Sequence, residues 1–451
     1  MVSVIVGFSK RRSGIILTWA AFLYAHLLTY QMRPRRPSSR IFWPGLSPDL
    51  LSEFSSDFCD KPALNMVKLL VDATALSPVA KGVGRFVSEV VTRLDDLLPQ
   101  SWSIQLVCFR GACNVSSDSE RSSILQIPPQ SDLQLGLWTM PRLLRECRPD
   151  LFLRFGDTVG KRYSTQTLTV CHDINEFIFA VQGTRRGWAR ALVDAFKEYF
   201  RVKGLQNSEF VFCNSCFTRN ESIDRYGLSE ARTSITYCGV DEVFYTGNRH
   251  QAVQHVLQQY NCRDYVLTFA CGDPRENYKI LPSVIFEARR SGFPACFAIA
   301  GISPGGRYVT DLIAELTAHG LYAEDDYVLI PFIRSDERER LRDLYVAADY
   351  YLELSLHEGF GMQLAEAMAC GVTCLAPDHS ALGEVGGGFT ITIDPRDPRA
   401  IADILASSYR SQLHLRDHFR QIEFTKKFSW DRSSREIAYR LMQMQRSGKD
   451  S

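Results

Sequence analysis

From residue 67 onward the chain alternates short apolar runs with longer amphipathic stretches, and this rhythm limits its fold more than any other feature. Strands are expected at 67–73, 104–109, 151–155, 168–172, 210–214 and 234–238 in the first half. In the second half they are expected at 265–270, 296–300, 327–332, 350–355, 372–376 and 389–393. Most of these runs are apolar almost throughout, as in parallel sheets covered on both faces. Helical spacing falls between many of them, at 84–98, 185–203, 279–290, 336–347, 362–370 and 398–408. Such alternation builds right-handed βαβ units and open twisted sheets. A sheet of that kind rarely exceeds about 10 strands, so a single sheet is disfavoured. The expected architecture is α/β: two Rossmann-like domains joined near 243–262 and facing each other across a cleft. Ligands then bind outside the carboxyl ends of the strands, between the domains.

Composition removes several classes of function. Lys and Arg total 52 against 51 Asp and Glu, a formal net charge of +1. That balance argues against nucleic acid as a partner held by bulk charge, and leaves small anionic ligands open. Beyond residue 31 no apolar run approaches the roughly 20 residues of a spanning helix. The thirteen cysteines are odd in number and many sit in apolar stretches, among them Cys108, Cys171, Cys238, Cys271 and Cys296. They read as buried thiols of a reducing compartment, the cytoplasm or the cytoplasmic face of a membrane. One C-x-x-C, Cys213 to Cys216, has no second pair or His cluster to complete a metal site, so no metal is expected.

The first 65 residues differ from the rest. Lys10-Arg11-Arg12 precedes an apolar run from Gly14 to Tyr30, and Arg33, Arg35, Arg36 and Arg40 follow it. Two readings stand: membrane association through residues 14–30, or a leader upstream of a domain that begins near Met66. The domain map is then a leader with a possible anchor and a linker at 1–65, a first Rossmann-like domain at 66–245 and a second at 246–428. Residues 429–451 form a last helix that can cross back to the first domain.

Three segments carry residues suited to chemistry. Lys81-Gly82-Val83-Gly84-Arg85 follows the first strand and opens a helix, so backbone N–H groups can approach a phosphate or a sugar. An ordinary tight turn explains Gly82 and Gly84 as well, and the full G-x-G-x-x-G of a dinucleotide site is missing. His172 closes the strand at 168–172, where it can hydrogen-bond a hydroxyl or leaving-group oxygen, or serve the fold through Asp173. The third segment runs from His357 to Gly371. It places Glu358 in a loop, Gly359 and Gly361 beside it, and Glu366 a turn into the following helix. Two carboxylates so spaced can hold hydroxyls at both ends of one elongated ligand, with a helix N-terminus for phosphate between them. The plainer reading makes Glu366 a solvated helix residue.

The E-x7-E segment from Glu358 to Glu366, with Gly359-Phe360-Gly361 after the first Glu, resembles the signature of retaining GT-B glycosyltransferases of family 4. Other segments match that family in order: Gly82 to Phe86, Val170 to Ile174, Asn214-Ser215, Gly239 to Asp241, Asp273 to Asn277, Ser380 to Val385 and Phe428 to Trp430. The resemblance covers roughly residues 67–445. It implies hexose transfer from a nucleotide sugar with retention, without metal or cofactor; GDP-mannose is the first donor to consider, with UDP-hexoses behind it. It implies a glycan, a lipid-linked or a small-molecule acceptor. By the same likeness His172 and Glu358 stand at the reaction centre, Glu366 on the ribose hydroxyls and Glu358 on the donor sugar. Gly82, Gly84, Gly359, Phe360 and Gly361 would then face the phosphates and sugar. One position departs: the family's Pro-Arg-Lys-Asn loop has Glu276 for its Lys, so Arg275 or Lys279 is expected to supply the missing charge. That departure leaves a second reading, a non-catalytic GT-B sugar-nucleotide binder or partner protein. Residues 111–135 read as an acceptor loop or a solvated connector.

Overall fold

Seven parallel strands make the first sheet: β1 Val67–Asp72, β2 Trp102–Phe109, β3 Ser122–Ile127, β4 Leu151–Phe155, β5 Gln166–Cys171, β6 Phe210–Cys213 and β7 Thr233–Ile235. Six more make the second: β8 Tyr265–Phe269, β9 Cys296–Ile302, β10 Tyr327–Pro331, β11 Tyr350–Leu352, β12 Thr373–Ala376 and β13 Ile391–Thr392. The computed structural model describes residues 66–77, 82–112, 120–155, 160, 163–174, 188–303, 305–334, 336–412 and 418–447. Residues 66–175 and 201–451 form one compact unit that holds both sheets; in the other, 1–65 with 176–200, the described part is helix from Trp188. The apolar run at 14–30 lies outside the described residues. Among the described residues no helix is long and apolar enough to cross a membrane.

The strand orders are β3-β2-β1-β4-β5-β6-β7 and β10-β9-β8-β11-β12-β13. Each sheet therefore reverses direction once, between β1 and β4 and between β8 and β11. Such reversals open a crevice at the carboxyl ends of the strands, and the segments after β1, β8 and β11 are the three that carry the Gly82, Arg275 and Glu358 motifs.

The central strands are apolar because both faces are covered. Leu69, Leu70, Val71, Phe152, Leu153, Leu168 and Val170 are all buried. The helix Gly82–Leu97 turns Phe86, Val87, Val90, Val91 and Leu94 inward at helical spacing, and each such side chain contributes about 1.5–3 kcal/mol on burial.

One strand was not expected. Ser122–Ile127 pairs with β2 at the sheet edge inside the stretch read as loop or connector, 111–135. Among the described residues no strand pairs with its outer edge, and most of its side chains are part-exposed, so it has no continuous apolar run to betray it. The helix expected from Lys279 instead begins at Leu281, after two short 3₁₀ turns at Pro274–Glu276 and Tyr278–Ile280.

The last helix, Trp430–Ser447, packs on the helix Gly82–Leu97. Trp430 is its anchor: the indole meets the Phe86 ring edge-on at 5.6 Å, and its Nε1 donates to Asp241 Oδ1 at 2.8 Å. Gly239 lies against this ring, where an added Cβ would sit 2.4 Å from Trp430 Cγ. Arg93 of the first domain bonds Asp431 at 2.7 Å beside it. Trp430→Ala should cost about 3–5 kcal/mol in denaturant unfolding, because it leaves a large cavity and an unpaired Asp241 acceptor.

Candidate active site

β11 is buried on both faces and delivers the chain into the loop 353–361. The loop's first carboxylate, Glu353, is buried and satisfied, accepting from Ser355 N at 2.9 Å and Tyr351 Oη at 2.8 Å. Glu358 keeps an edge on the cavity. Burial, and then the nearby Glu353, push its carboxyl up to about 8 against the pull of Arg275. Phe360 fixes the loop by packing its ring edge-on against Phe428 at 5.2 Å.

Gly359 lets two domains touch. A Cβ there would lie 2.0 Å from the carbonyl oxygen of His172, and Thr218 Oγ1 donates to the Gly359 carbonyl at 3.1 Å. Gly361 has φ +94°, a left-handed turn that sets the direction of the helix Met362–Ala369. The first N–H groups of that helix have no intrahelical acceptors, and Gly361, Met362 and Gln363 all line the cavity.

Glu366, one turn on, is buried rather than solvated. Arg85 Nη1 pairs with its Oε1, and Tyr345 Oη donates to Oε2 at 3.2 Å. Burial raises its carboxyl, and the charge and hydrogen bond of Arg85 oppose that rise. Arg85 also donates to Asp241 Oδ2 at 2.8 Å. Arg338 joins the same carboxylate and reaches Glu89 at 2.6 Å. Burial works against the charge of Arg85, but Glu366 and Asp241 outweigh it and hold the guanidinium ionised.

After β8, Asp273 caps the turn Pro274–Glu276, accepting from Arg275 N at 2.9 Å. The Arg275 guanidinium bonds Asp273 Oδ2 at 2.9 Å and reaches across to Asp173 Oδ2 at 3.0 Å. Glu276 turns one oxygen back onto its own loop, accepting Cys271 N at 2.6 Å, and burial raises its carboxyl. Asn277 then adopts φ 54°, which ends the turn and breaks helical continuity. Lys279 is therefore not one helical turn beyond Glu276: it is exposed and lies outside the cavity lining. Of the two cations expected to replace the family's Lys, only Arg275 reaches the cavity.

On the first domain Gly82 and Gly84 line the cavity at the start of their helix. His172 lines it too; burial lowers its pKa to about 4, so it is a neutral imidazole above that pH. Its ring meets Phe86 edge-on at 4.9 Å, and Nε2 is buried with no hydrogen-bond partner among the described residues.

The cavity holds about 510 Å³, and its lining includes Gly82, Gly84, His172, Arg275, Glu358, Gly359, Phe360, Gly361 and Glu366. Arg85, Arg334, Arg338, Asp173, Asn214 and Glu276 line it as well, and of these only Glu276 and, as a partner of His172, Asp173 had an explicit role from the sequence. Arg85 stood in the quoted glycine motif, but its carboxylate partners lie 156 and 281 residues away. Four arginines therefore face four carboxylates, Asp173, Glu276, Glu358 and Glu366. With the Glu358 carboxyl raised to about 8, near neutral pH an anionic ligand would find only a modest surplus of positive charge, and would depend on backbone N–H groups and on Arg side chains released from present partners.

Two facing Rossmann-like sheets with a cavity at their carboxyl ends define a GT-B protein. Solved structures agree: sucrose-phosphate synthase from Thermosynechococcus elongatus superposes with a TM-score of 0.64 at 16% identity, covering 84% of this chain and 99% of that one. HepE of Anabaena, in complex with UDP and glucose, gives 0.61 at 17%, covering 84% and 100%. Residues 80–244 match the family "Glycosyltransferase Family 4" and residues 265–410 match "Glycosyl transferases group 1". The chain belongs to this glycosyltransferase family. Curated relatives include the serotype-specific mannosyltransferase WbdA of Escherichia coli, 24% identical over 281 residues, 59% of this chain and 32% of that protein. O-antigen chain mannosyltransferase B of Escherichia coli is 26% identical over 253 residues, 53% of this chain and 62% of that protein. The matched stretch thus spans about a third of WbdA and less than two thirds of the second relative.

The raised carboxyl of Glu358 has a consequence for stability. Its folded pKa of about 8 exceeds the usual value of 4.5, so its contribution is fully present below about pH 4.5 and is lost as pH rises through about 8. Glu358→Gln should therefore melt higher than the parent at pH 9 by a few degrees, with the gap closing towards pH 5. Parallel melting curves across that range would show that Glu358 is not held protonated.

Proposed function

We propose that the protein is a hexosyltransferase that moves a sugar from a nucleotide sugar to a hydroxyl acceptor with retention of configuration. One observation carries this reading: Glu358, the 359–361 turn and Glu366 line one cavity opposite His172 and the Gly82–Gly84 helix start. The ribose hydroxyls would bond Glu366, the diphosphate would meet the N–H groups at Gly361–Gln363 and the Arg275 guanidinium, and the sugar would lie between Glu358 and His172. As the bond from the anomeric carbon to the phosphate oxygen breaks, its electron pair goes to the nucleoside diphosphate. Fixed N–H dipoles and Arg275 stabilise that charge without reorganising. The acceptor oxygen bonds the same carbon on the same face, and its proton passes to the departing phosphate oxygen. No carboxylate is assigned as a nucleophile on the far face, so a double displacement of the kind retaining glycosidases use is not invoked.

GDP-mannose is the first donor to test, because the relatives named above are mannosyltransferases; UDP-hexoses follow, since HepE is described with UDP and glucose. A glycan, a lipid-linked or a small-molecule hydroxyl serves as acceptor. No metal or cofactor enters the mechanism, the phosphates being met by dipoles and guanidinium.

A second reading, a non-catalytic nucleotide-sugar binder, is favoured by Glu276 in the phosphate loop. Nucleoside diphosphate release should be followed with a panel of nucleotide sugars and acceptors. Transfer is expected with at least one pair, undiminished by EDTA, and Glu366→Gln should weaken nucleotide affinity roughly tenfold. A panel that binds but never turns over would favour the second reading, and loss of activity with EDTA would contradict the metal-free mechanism.

A further inference from the structure

β5 and β6 run parallel in register, Cys171 opposite Cys213, so the residues that follow them, His172 and Asn214, emerge side by side at the cavity. Asn214 is 4% exposed. Its Nδ2 donates to the His172 carbonyl at 2.6 Å. This bond fixes which way the amide faces, because the flipped amide would set oxygen against oxygen. Asn214 Oδ1 is therefore an acceptor by necessity. It is buried, it belongs to a residue that lines the cavity, and it has no hydrogen-bond partner among the described residues.

The backbone around it is held firmly. Asn214 N donates to the Cys171 carbonyl at 3.3 Å, and Ser215 caps the next helix, Cys216–Tyr226, accepting from Thr218 N at 2.9 Å. Glu384, from the second domain, accepts the N–H groups of Cys216 and Phe217 at 3.0 and 3.1 Å. Gly359 closes against the His172 carbonyl that Asn214 holds. Asn214 is thus a rigid acceptor in the same cavity wall as a second orphaned polar atom, His172 Nε2, which a neutral imidazole can present as a donor.

A buried acceptor left unpaired is costly, and a ligand hydroxyl would remove that cost. We propose that Asn214 is a specificity residue of the sugar subsite, its Oδ1 accepting one hydroxyl of the transferred sugar beside the hydroxyl that His172 contacts. This rests on the transferase reading above. It predicts selectivity of a particular kind. A site built to pair a hydroxyl rejects the analogue that lacks it, because the protein's own polar atom is then stranded.

The test pairs ligands with variants. Affinities of the full chain for a nucleotide hexose that it binds, for its monodeoxy analogues and for the free nucleoside diphosphate are measured by calorimetry. For one deoxy analogue the parent should lose roughly tenfold or more. In Asn214→Ala that loss should shrink to within about twofold, while nucleoside diphosphate affinity stays near the parent's and so shows that the fold and nucleotide subsite are intact. Asn214→Asp keeps an acceptor oxygen and, once protonated, can still donate its O–H to the His172 carbonyl, so at acid pH it should keep part of the discrimination. It carries the test if the alanine variant does not fold. If the alanine variant keeps every discrimination of the parent, or if both variants lose it equally with weakened diphosphate binding, Asn214 serves the fold through the His172 carbonyl and the proposal is wrong. A parent that binds nucleoside diphosphate but discriminates among no deoxy sugars also overturns it, whereas a parent that binds no nucleotide overturns the transferase reading itself.

Discussion

The guanidinium of Arg85 stands between the carboxylates of Glu366 and Asp241, and much of the active-site architecture depends on this arrangement. A buried carboxylate without compensation takes up a proton and ceases to be a strong acceptor. Arg85 supplies that compensation from the helix whose N-terminus carries Gly82 and Gly84. Asp241, in turn, is held by Trp430 Nε1 and Arg338, and Arg338 returns to Glu89 on the Arg85 helix. The ring of charges therefore ties the glycine loop, the E-x7-E helix and the last helix into one unit. Removing Arg85 leaves the buried Glu366 carboxyl without its cation, which costs more than the intact pair contributes.

A second line of contacts closes the sugar end. Gly359 meets the His172 carbonyl, Arg275 crosses to Asp173, and Glu384 caps the helix after Asn214. These contacts join strand ends of the first sheet to loops of the second. The side chains between them are polar and largely paired with one another, not with open solvent. That suits a site in which an incoming diphosphate and sugar exchange partners with the protein, instead of filling a preformed cationic basin.

The two-sheet architecture was legible in the sequence because parallel strands covered on both faces must be apolar throughout. β3 was not, since an edge strand needs no such run, and Ser122 and Ser123 read as linker. The expected site residues lie around one cavity apart from Lys279, and the exception is instructive. Lys279 follows Asn277, whose left-handed backbone breaks any helical spacing from Glu276. Arg85 and Asn214 stood inside quoted motifs, yet nothing local marks their roles. One is defined by carboxylates far away in the chain, the other by an amide orientation that only the neighbouring strand fixes. The solvated-helix reading of Glu366 fails for the same reason: its burial comes from Arg85 and Tyr345, not from its own helix.

The central claim is that Arg85 holds the Glu366 carboxyl down against the effect of its burial and so keeps it an acceptor for the nucleotide. Its most direct test is the ratio of nucleoside diphosphate affinities of Arg85→Met and the parent, measured from about pH 6 to pH 9. The ratio cancels the titration of the nucleotide itself. Without Arg85 only the Tyr345 hydrogen bond still opposes the burial of Glu366, so its carboxyl should rise further and hold its proton the more firmly the lower the pH. The account predicts that the variant binds much more weakly at pH 6 and recovers as pH rises. A ratio that stays constant across the range would contradict it.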